Sequence, residues 1–333
     1  MVKSKKINVG ISIGDPNGIG IEVMLKALSD RPSNDNCNFI IYSSYDLIAN
    51  QKKELNIKAP PLKKIESFDE ISSNLLNIKE VFTESEYEFG VVDKQVSQKA
   101  IISFKEAVKD ANEKNIDVLV TSPIDKNLSY SESFKHSGHT AYLRHYFNED
   151  PIMLMVSKKL KVGLLTEHIA LKDVVHNVTV EKTTKKLKLL CQVLNKDFGI
   201  IKPKIAVLSI NPHVGDNGVI GTEDQKLLTP ALNELNKKEV IVYGPFSADT
   251  FFCNNYAKYD AILAVYHDQG LIPFKTISFG EGVNYSAGLP IIRTSPDHGT
   301  GFDIAGKSIA DPSSFKNALK LALNIYEARN KIL

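Results

Sequence analysis

Short apolar runs punctuate the chain from end to end: Ile7–Ile13, Asn38–Tyr42, Ile116–Val120, Ile152–Val156, Lys161–Leu165, Lys204–Ser209, Glu239–Val242 and Ala261–Val265. Helix-length amphipathic stretches separate many of them: Ile21–Leu28, Gln95–Lys114, Val180–Asn195 and Glu223–Asn236, with Pro312–Arg329 closing the chain. A short continuous apolar run suits a strand buried on both faces, and its alternation with helices predicts an α/β fold on largely parallel strands. In the closing stretch Phe315, Ala318, Leu319, Ala322 and Ile325 recur at helical spacing, so one face is expected to pack on a sheet. Gln51–Glu88 is Lys/Glu-rich and weakly patterned, and reads as peripheral structure around a hairpin or a short helix. The 333 residues exceed one ordinary core of about 100–200, so two domains are expected. No low-complexity linker divides them, which predicts that the chain crosses between them more than once.

Apolar residues at 43 % and charged residues at 24 % are ordinary for a soluble globular protein. A net charge of +2 gives no reason to expect nucleic acid or an acidic membrane as a partner. No apolar run approaches the roughly 20 residues of a membrane helix. The Lys-rich opening meets Gly10 and Gly14-Asp15-Pro16 too early for a signal-peptide core. Cys37, Cys191 and Cys253 are scattered and odd in number, which fits a reducing compartment; the cytoplasm is the expected location.

Three histidines share one context. His168, His213 and His267 each fall one to four residues beyond a buried-strand pattern. Ligands of open α/β sheets bind beyond the carboxyl ends of the strands, and imidazole is a common ligand of zinc-like ions. One such histidine alone reads as a capping or packing residue. Three together point to a shared metal with an open coordination position, a catalytic arrangement. Asp249 and Asp268 are candidates for outer partners or further ligands, and Asp249 equally for a helix N-cap.

Anion-holding residues are also apparent. Lys275 follows Pro273-Phe274 and Arg293 follows Ile291-Ile292, apolar surroundings that favour a pocket over solvent. The stretch from Tyr266 to Lys307 reads as loop-rich. Gly138-His139-Thr140 stands at an expected helix start, where backbone N–H groups could meet a phosphate. Gly14-Asp15-Pro16-Asn17-Gly18-Ile19-Gly20 has neither dinucleotide-fingerprint nor P-loop spacing; it is a strand-to-helix turn, with or without a ligand against its backbone.

Taken together, these segments resemble the 4-hydroxythreonine-4-phosphate dehydrogenase family over nearly the whole chain. The resemblance rests on the Gly14–Gly20 turn, Ser122-Pro123-Ile124-Asp125-Lys126, Gly138-His139-Thr140, His168-Ile169-Ala170-Leu171 and Asn211-Pro212-His213. It extends through Gly244–Thr250, Tyr266–Pro273 and Arg293–Thr300. Asp303–Lys307 with Ala310-Asp311-Pro312 is also similar to the cofactor loop of isopropylmalate and isocitrate dehydrogenases. The resemblance implies two α/β/α domains with a cleft between them, isopropylmalate-dehydrogenase-like rather than Rossmann. Residues 1–135 with 245–333 would form the cofactor-side domain, and residues 136–244 a middle domain carrying much of a homodimer interface.

It further implies His168, His213 and His267 as metal ligands completed across that interface. Zn²⁺ is the first choice, with Co²⁺, Mn²⁺ or Mg²⁺ as alternatives. His139, Thr140, Lys275, Asn284 and Arg293 would be substrate contacts, and Gly299, Asp303 and Ile304 cofactor contacts. NAD is expected and NADP is the alternative; Asp303 favours NAD, because a carboxylate repels a 2′-phosphate. Asp249, Asp268 and Lys126 are candidates for the general base. The implied reaction is oxidation and decarboxylation of the small phosphorylated substrate 4-phosphooxy-L-threonine. Ala141 departs from the family's usual Glu, Glu167 from a Thr, and Val214 and Asp216 from Ala and Glu. A dehydrogenase of a related acid such as 4-phosphothreonate is the nearest alternative, and a metal-dependent hydrolase or aldolase the alternative of another class.

Overall fold

The structure, a computed structural model, describes residues 6–29, 36–125, 128, 130, 134–237 and 240–331. Two compact units emerge, Met1–Glu149 with Leu289–Tyr326, and Asp150–Gly288 with Glu327–Leu333. The first opens with β1 (Ile7–Ser12), α1 (Gly20–Ser29), β2 (Cys37–Ser43), α2 (Tyr45–Glu54), β3 (Leu62–Ile65), β4 (Leu76–Glu80), α3 (Lys94–Asn112), β5 (Val118–Thr121) and α4 (His139–Phe147). The second holds β6 (Ile152–Val156), β7 (Lys161–Leu164), α5 (Val180–Phe198), β8 (Ile205–Leu208), α6 (Thr229–Asn236), β9 (Val242–Phe246), α7 (Ala248–Asn254), β10 (Ala261–Ala264), α8 (His267–Ile277) and β11 (Val283–Ala287). The chain then returns to the first unit for β12 (Arg293–Pro296) and most of α9 (Ser313–Lys331).

Within the first unit the strands lie in the order β3-β4-β2-β1-β5-β12, all parallel. The second unit orders its strands β11-β6-β7-β10-β8-β9; β6 is antiparallel to both neighbours and the other pairs are parallel. Helical stripes complete each core. On α3, Ala100, Ile101, Phe104, Ala107, Val108 and Ala111 recur at helical spacing and are buried, and Phe104 packs in one cluster with Ile40, Tyr42 and Leu119. Each large side chain so buried contributes about 1.5–3 kcal/mol. Asp93 fixes where the helix begins, its carboxylate accepting from the backbone N–H groups of Gln95 at 2.7 Å and Val96 at 3.0 Å. Met155, Val162, Leu164, Leu208, Ile262 and Phe274 belong to the corresponding core of the second unit.

Of the hairpin or short helix expected in residues 51–88, the structure has the end of α2 and a 3₁₀ turn at Phe68–Glu70 and no hairpin: β3 is a parallel edge strand and β4 lies between it and β2. Their pattern is weak because Asn77 is buried in β4, where its amide donates to the Phe39 carbonyl at 3.0 Å, and because β3 carries edge lysines. The stretch from Tyr266 to Lys307 is loop-rich, as expected, and also contains α8, β11 and β12. Gly270 and Pro273 mask the helix; Gly270 is required because a Cβ there would lie 2.9 Å from Ala264 and Val162. Residues 245–288 group with the second unit and 136–149 with the first. The former are tied in because β10 is hydrogen-bonded between β7 and β8, and β11 to β6.

Candidate active site

In the second unit β7, β10 and β8 are consecutive neighbours and parallel, so their carboxyl ends emerge side by side. His168, His267 and His213 follow these three ends in turn. Two side chains tie the exits together. The Thr166 hydroxyl donates to the Val265 carbonyl at 2.7 Å, linking β7 to β10. The Gln269 amide accepts from the Val265 N–H and donates to the Ser209 carbonyl, both at 2.7 Å, linking β10 to β8. The rings of His168 and His267 stand 5.5 Å apart between centroids. Nδ1 of His267 lies 2.7 Å from the carboxylate of Asp268, which orients the ring.

His213 is presented differently. Residues His213 to Asn217 all carry positive φ, from 45° to 78°, including the β-branched Val214 at 58°. A left-handed conformation costs about 1–2 kcal/mol per ordinary residue, so the turn must be held from below. Buried Asp224 does this, its two oxygens accepting from the N–H groups of Ile210 at 2.7 Å and Asn211 at 3.0 Å. Asp249 lies within the electrostatic reach of His213. Its carboxyl is held below the usual range, chiefly by the Ser247 hydroxyl and then by backbone donors. The N-cap of α7 is Ser247, not Asp249. Among the described residues no three His, Cys, Asp or Glu side chains come together as a metal site. Of the three expected ligands, His168 and His267 stand beside each other, and His213 follows β8 on its own left-handed turn.

The first unit builds a cationic site. Arg293 opens β12 and is only 2 % exposed. Its Nε and Nη2 both donate to the Thr121 hydroxyl at the end of β5, at 3.0 and 2.5 Å, and Nη2 lies 3.0 Å from Nδ1 of His139. Burial pulls the guanidinium down to about 9, which leaves it charged at neutral pH. His139 is the first residue of α4, and its ring packs 4.3 Å from that of Phe104. Thr140 follows on the same turn. A planar donor fork held at a helix N-terminus is suited to a carboxylate or a phosphate.

The other expected substrate residues lie in the second unit. Lys275 is exposed in the last turn of α8 while its neighbour Phe274 is buried. Asn284 is half-buried on β11, and its side-chain oxygen is buried with no hydrogen-bond donor among the described residues. Lys126 lies outside the described residues.

Gly299, Asp303 and Ile304 share an irregular loop between β12 and α9. A Cβ at Gly299 would meet open space, and the Asp303 side chain is exposed. An open backbone beside an exposed carboxylate fits the ribose hydroxyls of a dinucleotide. The Gly14–Gly20 turn serves this loop rather than a ligand. The turn is buried throughout, Ile19 N–H donates to the Thr300 carbonyl at 2.8 Å, and a Cβ on Gly18 would lie 2.5 Å from that same oxygen.

Thr121, Asp224 and the bridging role of Gln269 were missed in the sequence. Thr121 had a visible signal: a hydroxyl ending the apolar run Val118-Leu119-Val120. Asp224 had none, since its partners are backbone groups 13 and 14 residues away.

Comparison with known proteins extends this picture to the whole chain. Residues 35–322 match the family described as pyridoxal phosphate biosynthetic protein PdxA. A 4-hydroxythreonine-4-phosphate dehydrogenase of Bacteroides thetaiotaomicron is 39 % identical over 99 % of this chain and 92 % of its own. The crystal structure of 4-hydroxythreonine-4-phosphate dehydrogenase from Klebsiella pneumoniae has a TM-score of 0.84 at 31 % identity, covering 97 % of this chain and 98 % of that one. Isocitrate dehydrogenase from Methylococcus capsulatus shares the fold alone, with a TM-score of 0.51 at 12 % identity over 98 % of this chain and 88 % of that one. The fold is thus of the isopropylmalate and isocitrate dehydrogenase kind rather than Rossmann, and the chain belongs to the PdxA family of pyridoxal phosphate biosynthetic proteins.

Proposed function

We propose that this chain catalyses the NAD-dependent oxidation and decarboxylation of 4-phosphooxy-L-threonine to 3-amino-2-oxopropyl phosphate, feeding pyridoxal 5′-phosphate synthesis. The observation that carries the assignment is the buried Arg293 fork, aimed by Thr121 and set against His139, in a chain whose full-length relatives are named for this dehydrogenase. Those names give the hydrolase, aldolase and phosphothreonate readings no support. Arg293, His139 and Thr140 grip an anionic group of the substrate. Holding the substrate by its charged ends fixes C3 for reaction and converts binding energy into orientation. NAD⁺, when bound beside Gly299, Asp303 and Ile304, supplies the hydride acceptor. The hydroxyl proton leaves to a base, and the resulting β-keto acid loses carbon dioxide. Asp268 keeps the His267 ring in one orientation, and Asp249 stays ionised at neutral pH.

A divalent metal, Zn²⁺ in the first instance, belongs to the proposal, with His168, His213 and His267 as its ligands and the site completed across a homodimer interface; the neighbouring rings of His168 and His267 support it. A homodimer is supported by exposed apolar side chains beyond the same strand ends: Leu171 at 71 %, Val219 at 83 % and Ile272 at 64 % exposed. Among the described residues no helix is long and apolar enough to cross a membrane; the cytoplasm is the proposed location.

The test is NADH formation with 4-phosphooxy-L-threonine, before chelation, after it, and after Zn²⁺ is restored. Turnover that chelation removes and Zn²⁺ restores is expected. Folded, Zn²⁺-supplied protein that turns over only 4-phosphothreonate would overturn the substrate assignment, and undiminished turnover after chelation would overturn the metal.

A further inference from the structure

The loop between β12 and α9 hangs from one face of α1. Ile19 stands just before the helix, and Glu22 and Lys26 follow at spacings of three and four residues, so all three share one side. Ile19 holds the front of the loop through the Thr300 carbonyl at 2.8 Å. Glu22 and Lys26 hold its far end. The Glu22 carboxylate, 1 % exposed, accepts from the Ala310 N–H at 2.9 Å and from Lys26 Nζ at 2.7 Å. The same ammonium donates to the carbonyls of Ser308 at 2.9 Å and Ala310 at 3.0 Å. Ser308, between these anchors, has φ of 55°, and its hydroxyl donates to the Leu55 carbonyl at 3.1 Å.

A side chain in the left-handed region persists only where its surroundings over-determine it. Three hydrogen bonds on Ser308 and Ala310 from one ammonium and one carboxylate supply that constraint. A buried carboxylate in an otherwise apolar helix face is costly unless it is paired and hydrogen-bonded. Simple packing of α1 against the loop would not need a charge there.

We propose that Glu22 and Lys26 are positioning residues for the dinucleotide. They act through the loop Gly299–Ala310, fixing the backbone that presents Gly299, Asp303 and Ile304. This rests on the assignment of that loop to the cofactor made above. Lys26, being partly exposed, can be changed with less risk to folding than Glu22.

The experiment compares Lys26→Met, Lys26→Arg and Glu22→Gln with Asp303→Ala, which alters the loop's exposed carboxylate directly. NADH binding is followed through the coenzyme's own fluorescence, with initial-rate kinetics and melting curves alongside. The chain contains no Trp, so protein emission interferes little. Lys26→Met and Glu22→Gln are expected to weaken NADH binding about 10-fold and to raise KM for NAD⁺ by a similar factor, with KM for the phosphorylated substrate within about twofold and with partial recovery in Lys26→Arg. Asp303→Ala is expected to weaken NADH binding as well. Weakened binding in Asp303→Ala but none in folded Lys26→Met would overturn the positioning role and leave the cofactor loop standing. No effect in any of the variants would overturn the cofactor loop itself. Lower melting temperatures with unchanged NADH affinity in both Lys26→Met and Glu22→Gln would reduce the pair to a structural clamp.

Discussion

Replacing Thr121 by Val tests whether Arg293 is a prepared anion holder or a strand residue that happens to be charged. The substitution keeps β-branching and nearly the same volume at the end of β5. It deletes the one oxygen that accepts from both Nε and Nη2 of Arg293, at 3.0 and 2.5 Å. A hydrogen bond to a charged group contributes about 1.5–3 kcal/mol, and losing the acceptor removes a partner from both Nε and Nη2 in a buried setting. Since Arg293 is 2 % exposed, water does not replace the lost partner, and about 2–4 kcal/mol is at stake. Some of this appears as lost stability, at roughly 2–4 °C of melting temperature per kcal/mol for a unit of this size. If half falls on substrate binding, KM for the phosphorylated substrate rises about 5–30-fold. KM for NAD⁺ should stay within about twofold, because Thr121 touches neither Asp303 nor its loop. Steady-state kinetics with each substrate varied in turn, together with a melting curve, separates the two contributions. A lower melting temperature with unchanged KM for the phosphorylated substrate would refute the reasoning and make Arg293 a structural residue.

Two further perturbations probe the other parts of the site. Asp15 is buried in the Gly14–Gly20 turn, and burial, partly offset by hydrogen bonds from Ser97 and Asn17, raises its pKa. An acid with a raised native pKa is held protonated more readily in the fold than in the unfolded chain, so the fold is penalised once pH exceeds both values and the penalty vanishes below the ordinary value of about 3.9. Asp15→Asn should therefore raise the melting temperature at pH of about 7–8, with the advantage shrinking toward pH of about 4; a variant less stable than the parent at neutral pH would show that the hydrogen bonds outweigh burial. His213→Ala should remove bound metal and lower turnover by more than the roughly 10–100-fold cost typical of losing an outer-shell partner. Full metal content and near-normal turnover in that variant would remove His213 from the metal site.

Parts of the molecule differed in legibility for physical reasons. Strands buried on both faces announce themselves, because every position in Val118–Val120 or Ala261–Ala264 must be apolar. The strands at the sheet's margin do not: on edge strand β3, Lys63 reaches Ser72 and Lys64 pairs with Glu80, and Asn77 of the neighbouring β4 satisfies itself through backbone groups that no periodicity reveals. β12 was hidden for the opposite reason. Its sequence, Arg293-Thr294-Ser295-Pro296, is polar yet wholly buried, and a strand of that kind exists only where each polar group has a partner. Thr294 donates to the Ala318 carbonyl at 2.8 Å, and Arg293 to Thr121.

The same logic divides the site. Residues whose chemistry is unusual for their neighbourhood, such as three histidines after buried strands or an arginine after Ile291-Ile292, are visible one at a time. Residues defined by a relation are not. Glu22 and Lys26 look like an ordinary i,i+4 surface pair until the fold brings Ser308 and Ala310, more than 280 residues away in sequence, onto the same ammonium. Asp224 looks like any carboxylate near a helix start until it is found under a left-handed turn. The three histidines fall between these cases. Their residue type and strand-end setting are local and legible, but whether three rings converge depends on backbone geometry after each strand. For His213 that geometry is a run of positive φ from His213 to Asn217, which strand-end spacing does not reveal.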